Sequence, residues 1–164
     1  AVYLDTGTTA AHVARILPDD PGTQVFTPSL HVALELFDHE QTTVVMYGGQ
    51  LAGKSLDLVG ELAVGRIRDF RLDLAVVGGD ALDAETGEFY AADVPTASLS
   101  KTAQEQAKEV LVCIDSSKFA KRGVAIAGRL TDKTTLITDS GVSRADRAAL
   151  RKIRTQTVYT KPDR

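Results

Sequence analysis

Asp5-Thr6-Gly7-Thr8-Thr9 is the stretch of this sequence best equipped to hold an anion. A short β-type run over Tyr3 to Asp5 ends in small, hydroxylated residues and passes straight into a helical pattern over Thr8 to Leu17. A helix start leaves amide N–H groups without acceptors and carries roughly half an elementary charge at its positive end. Such a turn suits a phosphate dianion. Gly7 lets the backbone approach a ligand closely, and Thr6, Thr8 and Thr9 add hydroxyl donors. The glycine spacing is neither that of a dinucleotide fingerprint nor that of a mononucleotide loop. The same residues also read as an N-cap at Thr8 after a turn at Gly7, and this segment alone leaves both readings open.

The rest of the chain decides what stands around that turn. Apolar β-type runs alternate with helical patterns: strands over 24–27, 42–47, 72–77, 110–114, 124–127, 134–138 and 157–159, and helices over 30–37, 58–70, 96–108 and 143–153. In the second helix Leu30, Ala33, Leu34 and Phe37 are expected to face inward. Gly60 and Gly65 weaken the third helical pattern. Ser143 with Asp146 forms a capping-box-like start to the last. Strand–helix alternation predicts an α/β domain, a Rossmann-like, mostly parallel sheet covered by helices. Ligands of such sheets sit beyond the carboxyl ends of the strands. The loops expected there are the first turn, Thr27-Pro28-Ser29, Gly48-Gly49, Gly78-Gly79-Asp80 and Asp115-Ser116-Ser117-Lys118. All five are small, hydroxylated or charged, which singles out one end of one sheet.

Two competing chemistries need weighing. Gly48 to Ser55 has the spacing of a triphosphate-binding loop, Gly, four residues, then Gly53-Lys54-Ser55. That lysine should open a long helix, yet Gly60 follows about a turn later, and a better anion loop stands earlier. Otherwise Gly48 and Gly49 permit close approach at a strand end and Lys54 is solvated. Metal chemistry has no footing, since His12, His31 and His39 show no ligand spacing. No cofactor is implied.

Bulk properties fit one ordinary domain. The chain has 164 residues, 43% hydrophobic and 25% charged, with a net charge of -3. The negative charge argues against nucleic-acid binding by this stretch alone. No apolar run is long enough to span a membrane, and no secretory leader is visible. The lone Cys113 lies in an apolar run, as a buried thiol of a reducing compartment would.

Read together in order, these motifs resemble the C-terminal effector-sensing domain of DeoR-type bacterial repressors of sugar metabolism. The family's Asp-[Ser/Thr]-Gly-[Ser/Thr]-Thr loop stands here as Asp5 to Thr9. Its Thr-Asn-Ser is Thr27-Pro28-Ser29, with proline in place of asparagine. Then come Gly48-Gly49, the unusual Gly78-Gly79-Asp80, the helix lysine Lys101, Asp115-Ser116-Ser117-Lys118-Phe119 and Ile137-Thr138-Asp139. The resemblance implies one effector-binding domain over 1–164, with an N-terminal winged helix-turn-helix expected outside this chain. It implies a cytoplasmic homo-oligomer that touches operator DNA only through that other domain, without membrane contact. The implied effector is a phosphorylated sugar or related metabolite. Its phosphate would lie on Gly7-Thr8-Thr9, with Lys101 and Lys118 as point charges. Asp5, Asp80 and Asp115 suit sugar hydroxyls better, or hold the lysines. The fold implied is similar to that of ribose-5-phosphate isomerase. That enzyme's Asp-Gly-Ala-Asp stands here as Val77-Gly78-Gly79-Asp80, so its first carboxylate is missing, and catalysis is not expected.

Overall fold

The computed structural model describes residues 1–53, 55–119 and 121–161. Seven strands form the main sheet: β1 (Val2–Leu4), β2 (Gln24–Phe26), β3 (Thr43–Val45), β6 (Leu72–Val77), β9 (Ala107–Cys113), β11 (Thr134–Asp139) and β12 (Gln156–Thr160). Their order across the sheet is β12-β11-β9-β6-β1-β2-β3, and every neighbouring pair is parallel. The chain thus winds from β1 outward to β3, then returns to the other side of β1 to lay down β6, β9, β11 and β12. That reversal puts a topological switch point between β1 and β6, where an open parallel sheet has its ligand crevice.

Among the described residues, five α-helices cover the sheet: α1 (Gly7–Ile16), α2 (Leu30–Glu35), α3 (Glu61–Ile67), α4 (Val94–Gln106) and α5 (Arg144–Leu150). Successive side chains of a strand point to opposite faces, and the core divides accordingly. Leu4, Val25 and Val76 pack with Ala10 and Ala14 of α1 and with Val32 and Leu36 around α2. Tyr3, Phe26, Ala75 and Val77 pack in the larger cluster with buried residues of α3, α4 and α5. Ser143 caps α5 as expected: its hydroxyl accepts the Asp146 amide at 3.0 Å and donates to the Asp146 carboxylate at 2.6 Å.

Two sequence expectations are corrected. The helix over 30–37 turns a different face to the sheet. Val32 and Leu36 are buried, whereas Leu34 is 67% and Phe37 80% exposed. Its phase is set at the start, where the Leu30 amide donates to the Leu56 carbonyl at 3.0 Å, and the helix ends before Phe37. The helix over 58–70 is instead a strand, a turn at Gly60 and the shorter α3. That strand, β5 (Asp57–Val59), pairs antiparallel with β4 (Gln50–Ala52). A second small sheet, in the order β10-β8-β7, is antiparallel throughout: β7 (Ala81–Leu82), β8 (Glu88–Ala91) and β10 (Ala125–Arg129). It lies against α4 and closes one side of the crevice.

Candidate anion-binding site

The crevice at the switch point is a cavity of about 200 Å³ walled by the loops after β1, β6 and β9. Asp5, Thr6, Gly7, Thr8 and Thr9 enter from β1, Gly78, Gly79 and Asp80 from β6, and Asp115 with Lys118 from β9. Thr96 and Ser100 of α4 complete the polar wall.

α1 starts in the geometry an anion needs. Thr6 is its N-cap, with extended backbone and no capping side chain, so the Thr6 hydroxyl is not consumed at the helix end. Gly7 takes φ +87°, and a β-carbon there would meet nothing within 4 Å. A side chain is therefore disfavoured by the backbone conformation rather than by crowding. The amides at the start of α1 have no intrahelical acceptor and lie at the positive end of a ten-residue helix.

Asp5 forms the floor and is 4% exposed. Burial pushes its carboxyl up to about 6, against hydrogen bonds that favour the carboxylate: from the Thr6 and Gly78 amides, the Ser100 hydroxyl and the Tyr3 hydroxyl, which donates to Oδ1 at 3.1 Å. Burial likewise raises the Tyr3 phenol, which keeps it a donor. Cys113 is part of the wall, and burial lifts its thiol to about 11, so it contributes surface rather than a nucleophile.

The β9 turn is held from outside. Asp115 Oδ1 accepts the Ser117 amide at 2.9 Å and caps a single 3-10 turn, Ser116–Lys118. Asp139, at the end of β11, accepts the Ser116 amide on Oδ2 and the Gly141 amide on Oδ1, both at 2.7 Å. These backbone donors hold the Asp139 carboxyl below its ordinary value. Lys118 is thereby presented to the cavity from a clamped turn. Asp139→Ala should lower stability by about 1–2 kcal/mol in denaturant melts, the scale of hydrogen bonds lost to a carboxylate. A variant with unchanged stability would show that the turn needs no clamp.

The cavity does not gather every residue singled out in the sequence. Thr27 and Ser29 are fully buried beneath the β4–β5 hairpin, where the Leu58 amide donates to the Pro28 carbonyl at 2.8 Å. Thr27 Oγ1 accepts the Ser29 amide at 3.1 Å, a local turn bond. Gly48 and Gly49 lie where the chain passes into that hairpin; a β-carbon on Gly49 would fall 2.9 Å from the Val59 carbonyl oxygen. The hairpin also stands where a triphosphate loop would have to open a helix. Lys54 itself falls outside the described residues. Lys101 is exposed on α4 and absent from the cavity wall, whereas its neighbour Ser100 lines it. The sequence reading overlooks Thr96 and Ser100, although their i, i+4 spacing is a readable signal of one helix face. Among the described residues no group of three or more His, Cys, Asp or Glu side chains is placed to hold a metal ion. No helix among them is long and apolar enough to cross a membrane.

Comparison with known proteins bears on this geometry. A transcriptional repressor of Agrobacterium fabrum, AccR, is 30% identical over 140 residues, 85% of this chain and 54% of that protein. An uncharacterized HTH-type transcriptional regulator of Bacillus subtilis, YulB, is 34% identical over 149 residues, 91% of this chain and 57% of that protein. The glycerol-3-phosphate regulon repressor of Escherichia coli is 26% identical over 139 residues, 85% of this chain and 55% of that protein. The chain therefore spans a little over half the length of these relatives. Among solved structures, ribose 5-phosphate isomerase A of Methanocaldococcus jannaschii superposes with a TM-score of 0.51 at 19% identity, over 74% of this chain and 47% of that one. That likeness is one of fold. The family described as the DeoR C terminal sensor domain matches residues 1–140, from the strand before the anion turn to the clamp at Asp139, and the chain belongs to that family.

Proposed function

We propose that this domain senses a phosphorylated sugar or a closely related metabolite, and that it does so as part of a transcriptional regulator. One observation carries the reading: an uncapped helix start with a left-handed glycine meets a clamped lysine turn at the switch point of the sheet. The Gly7, Thr8 and Thr9 amides and hydroxyls take the phosphate, with Lys118 as its counter-charge. Asp5 and Asp80 accept from hydroxyls of the bound molecule, and Asp115 holds the lysine turn. Catalysis is not part of the proposal. Val77 occupies the place of the first carboxylate in the isomerase pattern and is buried among apolar side chains, so the pair of acids for proton transfer is incomplete.

In this reading operator DNA is bound by another part of the protein, a winged helix-turn-helix domain preceding the sensor, and effector occupancy changes its affinity. The regulator acts in the cytoplasm as a homo-oligomer. Calorimetric titration with phosphorylated sugars and their unphosphorylated parents tests the core of it. A phosphorylated member should bind and its parent should not bind measurably. Equal binding of the two would remove the anion site, and no binding by any phosphorylated sugar would remove the effector class.

A further inference from the structure

Thr6, Gly7, Thr8, Asp80 and Thr96 also line a second, larger groove of about 460 Å³ that extends from the α1 start toward α2 and β5. Its other polar walls are His12 and Arg15 of α1, His31 and Glu35 of α2, Asp57 of β5 and Asp93. The charges there are unequal. Arg15 is engaged by Glu35, to which its Nε and terminal nitrogen donate at 2.9 and 2.5 Å. His12 Nδ1 lies 2.7 Å from the Thr8 carbonyl oxygen and so carries the proton. Asp93 Oδ1 accepts the Thr96 amide at 2.8 Å as the cap of α4, which leaves the Asp57 and Asp80 carboxylates facing two imidazoles. Asp57 stands out. It is 5% exposed, and its Oδ1 completes no hydrogen bond of good geometry among the described residues; the Ser29 hydroxyl, across the antiparallel bridge joining the two residues, and the Ser55 hydroxyl lie near enough to favour its charged form without closing such a bond. Leaving a buried carboxylate oxygen unpaired is costly, so a donor arriving from the groove has a place prepared for it.

We propose that this groove reads the end of the effector remote from its phosphate, and that Asp57 selects a phosphate monoester rich in hydroxyl or amino donors. A second phosphate or a carboxylate is excluded. This rests on the phosphate reading of the α1 start. The two halves differ in charge: Lys118 stands only in the phosphate cavity, Asp80 borders both, and Asp57 and Asp93 stand only in the groove, which holds no unpaired cation among the described residues. A ligand with one anionic end and one donor-rich end matches both, whereas a bisphosphate meets like charge in the groove.

Calorimetry on the protein tests this with inorganic phosphate, the tightest binder of a panel of hexose and pentose monophosphates, and that sugar's bisphosphate and phosphorylated aldonic acid. The monophosphate should bind at least tenfold more tightly than inorganic phosphate and than either doubly anionic analogue. Asp57→Asn should remove most of the advantage over inorganic phosphate while leaving inorganic phosphate affinity in place. If Asp57→Asn misfolds, His31→Lys gives a second route. It alters an exposed residue of the groove and should improve bisphosphate binding relative to monophosphate. An amino-sugar phosphate losing more than its hydroxyl counterpart in Asp57→Asn identifies the donor as an amine; equal losses identify hydroxyls. A bisphosphate bound as tightly as the monophosphate by the wild type, or an Asp57→Asn variant with unchanged monophosphate affinity, overturns the proposal. Failure of inorganic phosphate and every monophosphate to bind overturns the phosphate reading, and this proposal with it.

Discussion

Asp5→Asn should change the pH dependence of stability more than any other single substitution in the cavity. The Asp5 carboxyl has an ordinary value of 3.8 and is raised to about 6 by burial. A raised carboxyl favours the folded state while protonated: the contribution is complete below about 3.8 and is lost as pH climbs through about 6. A rise of that size corresponds to about 3 kcal/mol. Relative to wild type, Asp5→Asn should therefore be most favoured above pH 6 and lose about 3 kcal/mol of that relative stability on acidification to pH 4. Thermal melts of both proteins across this interval read the difference directly. Comparison with the variant matters, because Asp19, Asp73, Glu88 and Asp139 have lowered values and drive wild-type stability the opposite way. Parallel curves for the two proteins would mean that the carboxylate is not strained by its burial. The substitution should also weaken ligand binding at neutral pH, since an amide accepts fewer hydrogen bonds than a carboxylate.

Lys118→Ala should weaken binding of the phosphorylated effector by about 1.5–3 kcal/mol, roughly ten- to 150-fold. In the proposed site the lost partner is the counter-charge of a dianion, so an unphosphorylated analogue should be almost indifferent to the change. Thr8→Val should cost less, because one hydroxyl among several donors disappears. The fold should survive Lys118→Ala, since the side chain belongs to no core cluster and its turn is held by Asp115 and Asp139. A folded variant with wild-type affinity would take Lys118 out of the site and leave its loop an ordinary turn after a buried strand.

The course of this domain was written mostly in local patterns. The strand over 72–77 stands in the structure with the bounds read from its apolar run, and Ser143 with Asp146 announces the start of α5. Where local signals failed, a distant contact decided. Nothing near Leu34 and Phe37 reveals that the Leu56 carbonyl fixes the start of α2, so apolar residues that look like core stand in solvent. The short strands 81–82 and 88–91 have too little alternation to be recognised before they pair with each other and 88–91 pairs with 125–129. The candidate site shows the same division. The loops could be identified one by one as strand ends, but strand order could not be read. Only with β1 beside β6 does it become clear that the first and fourth loops share a crevice with the Asp115 turn, while Thr27 and Ser29 disappear under a hairpin. Lys101 illustrates a finer limit. One residue along a helix is a rotation of about 100°, enough to exchange a cavity wall for solvent.

The division of the core into unequal halves has a mechanical consequence. The α1–α2 layer is fastened by a small cluster, Leu4, Ala10, Ala14, Val25, Val32, Leu36 and Val76. The larger cluster joins the opposite face to α3, α4, α5 and the small antiparallel sheet, and among the described residues it holds more buried side chains. The thin layer is thus the part of the domain with least to lose by lifting away, the low end of the local-opening spectrum. Its attachment to the cavity is the start of α1. Under the proposed function, a molecule gripped there together with the β9 turn acts as a rivet between the weakly held layer and the strongly held one. Occupancy then travels outward as a change in how often α1 and α2 open, and slowed amide exchange along these two helices would carry its signature far from the atoms it touches.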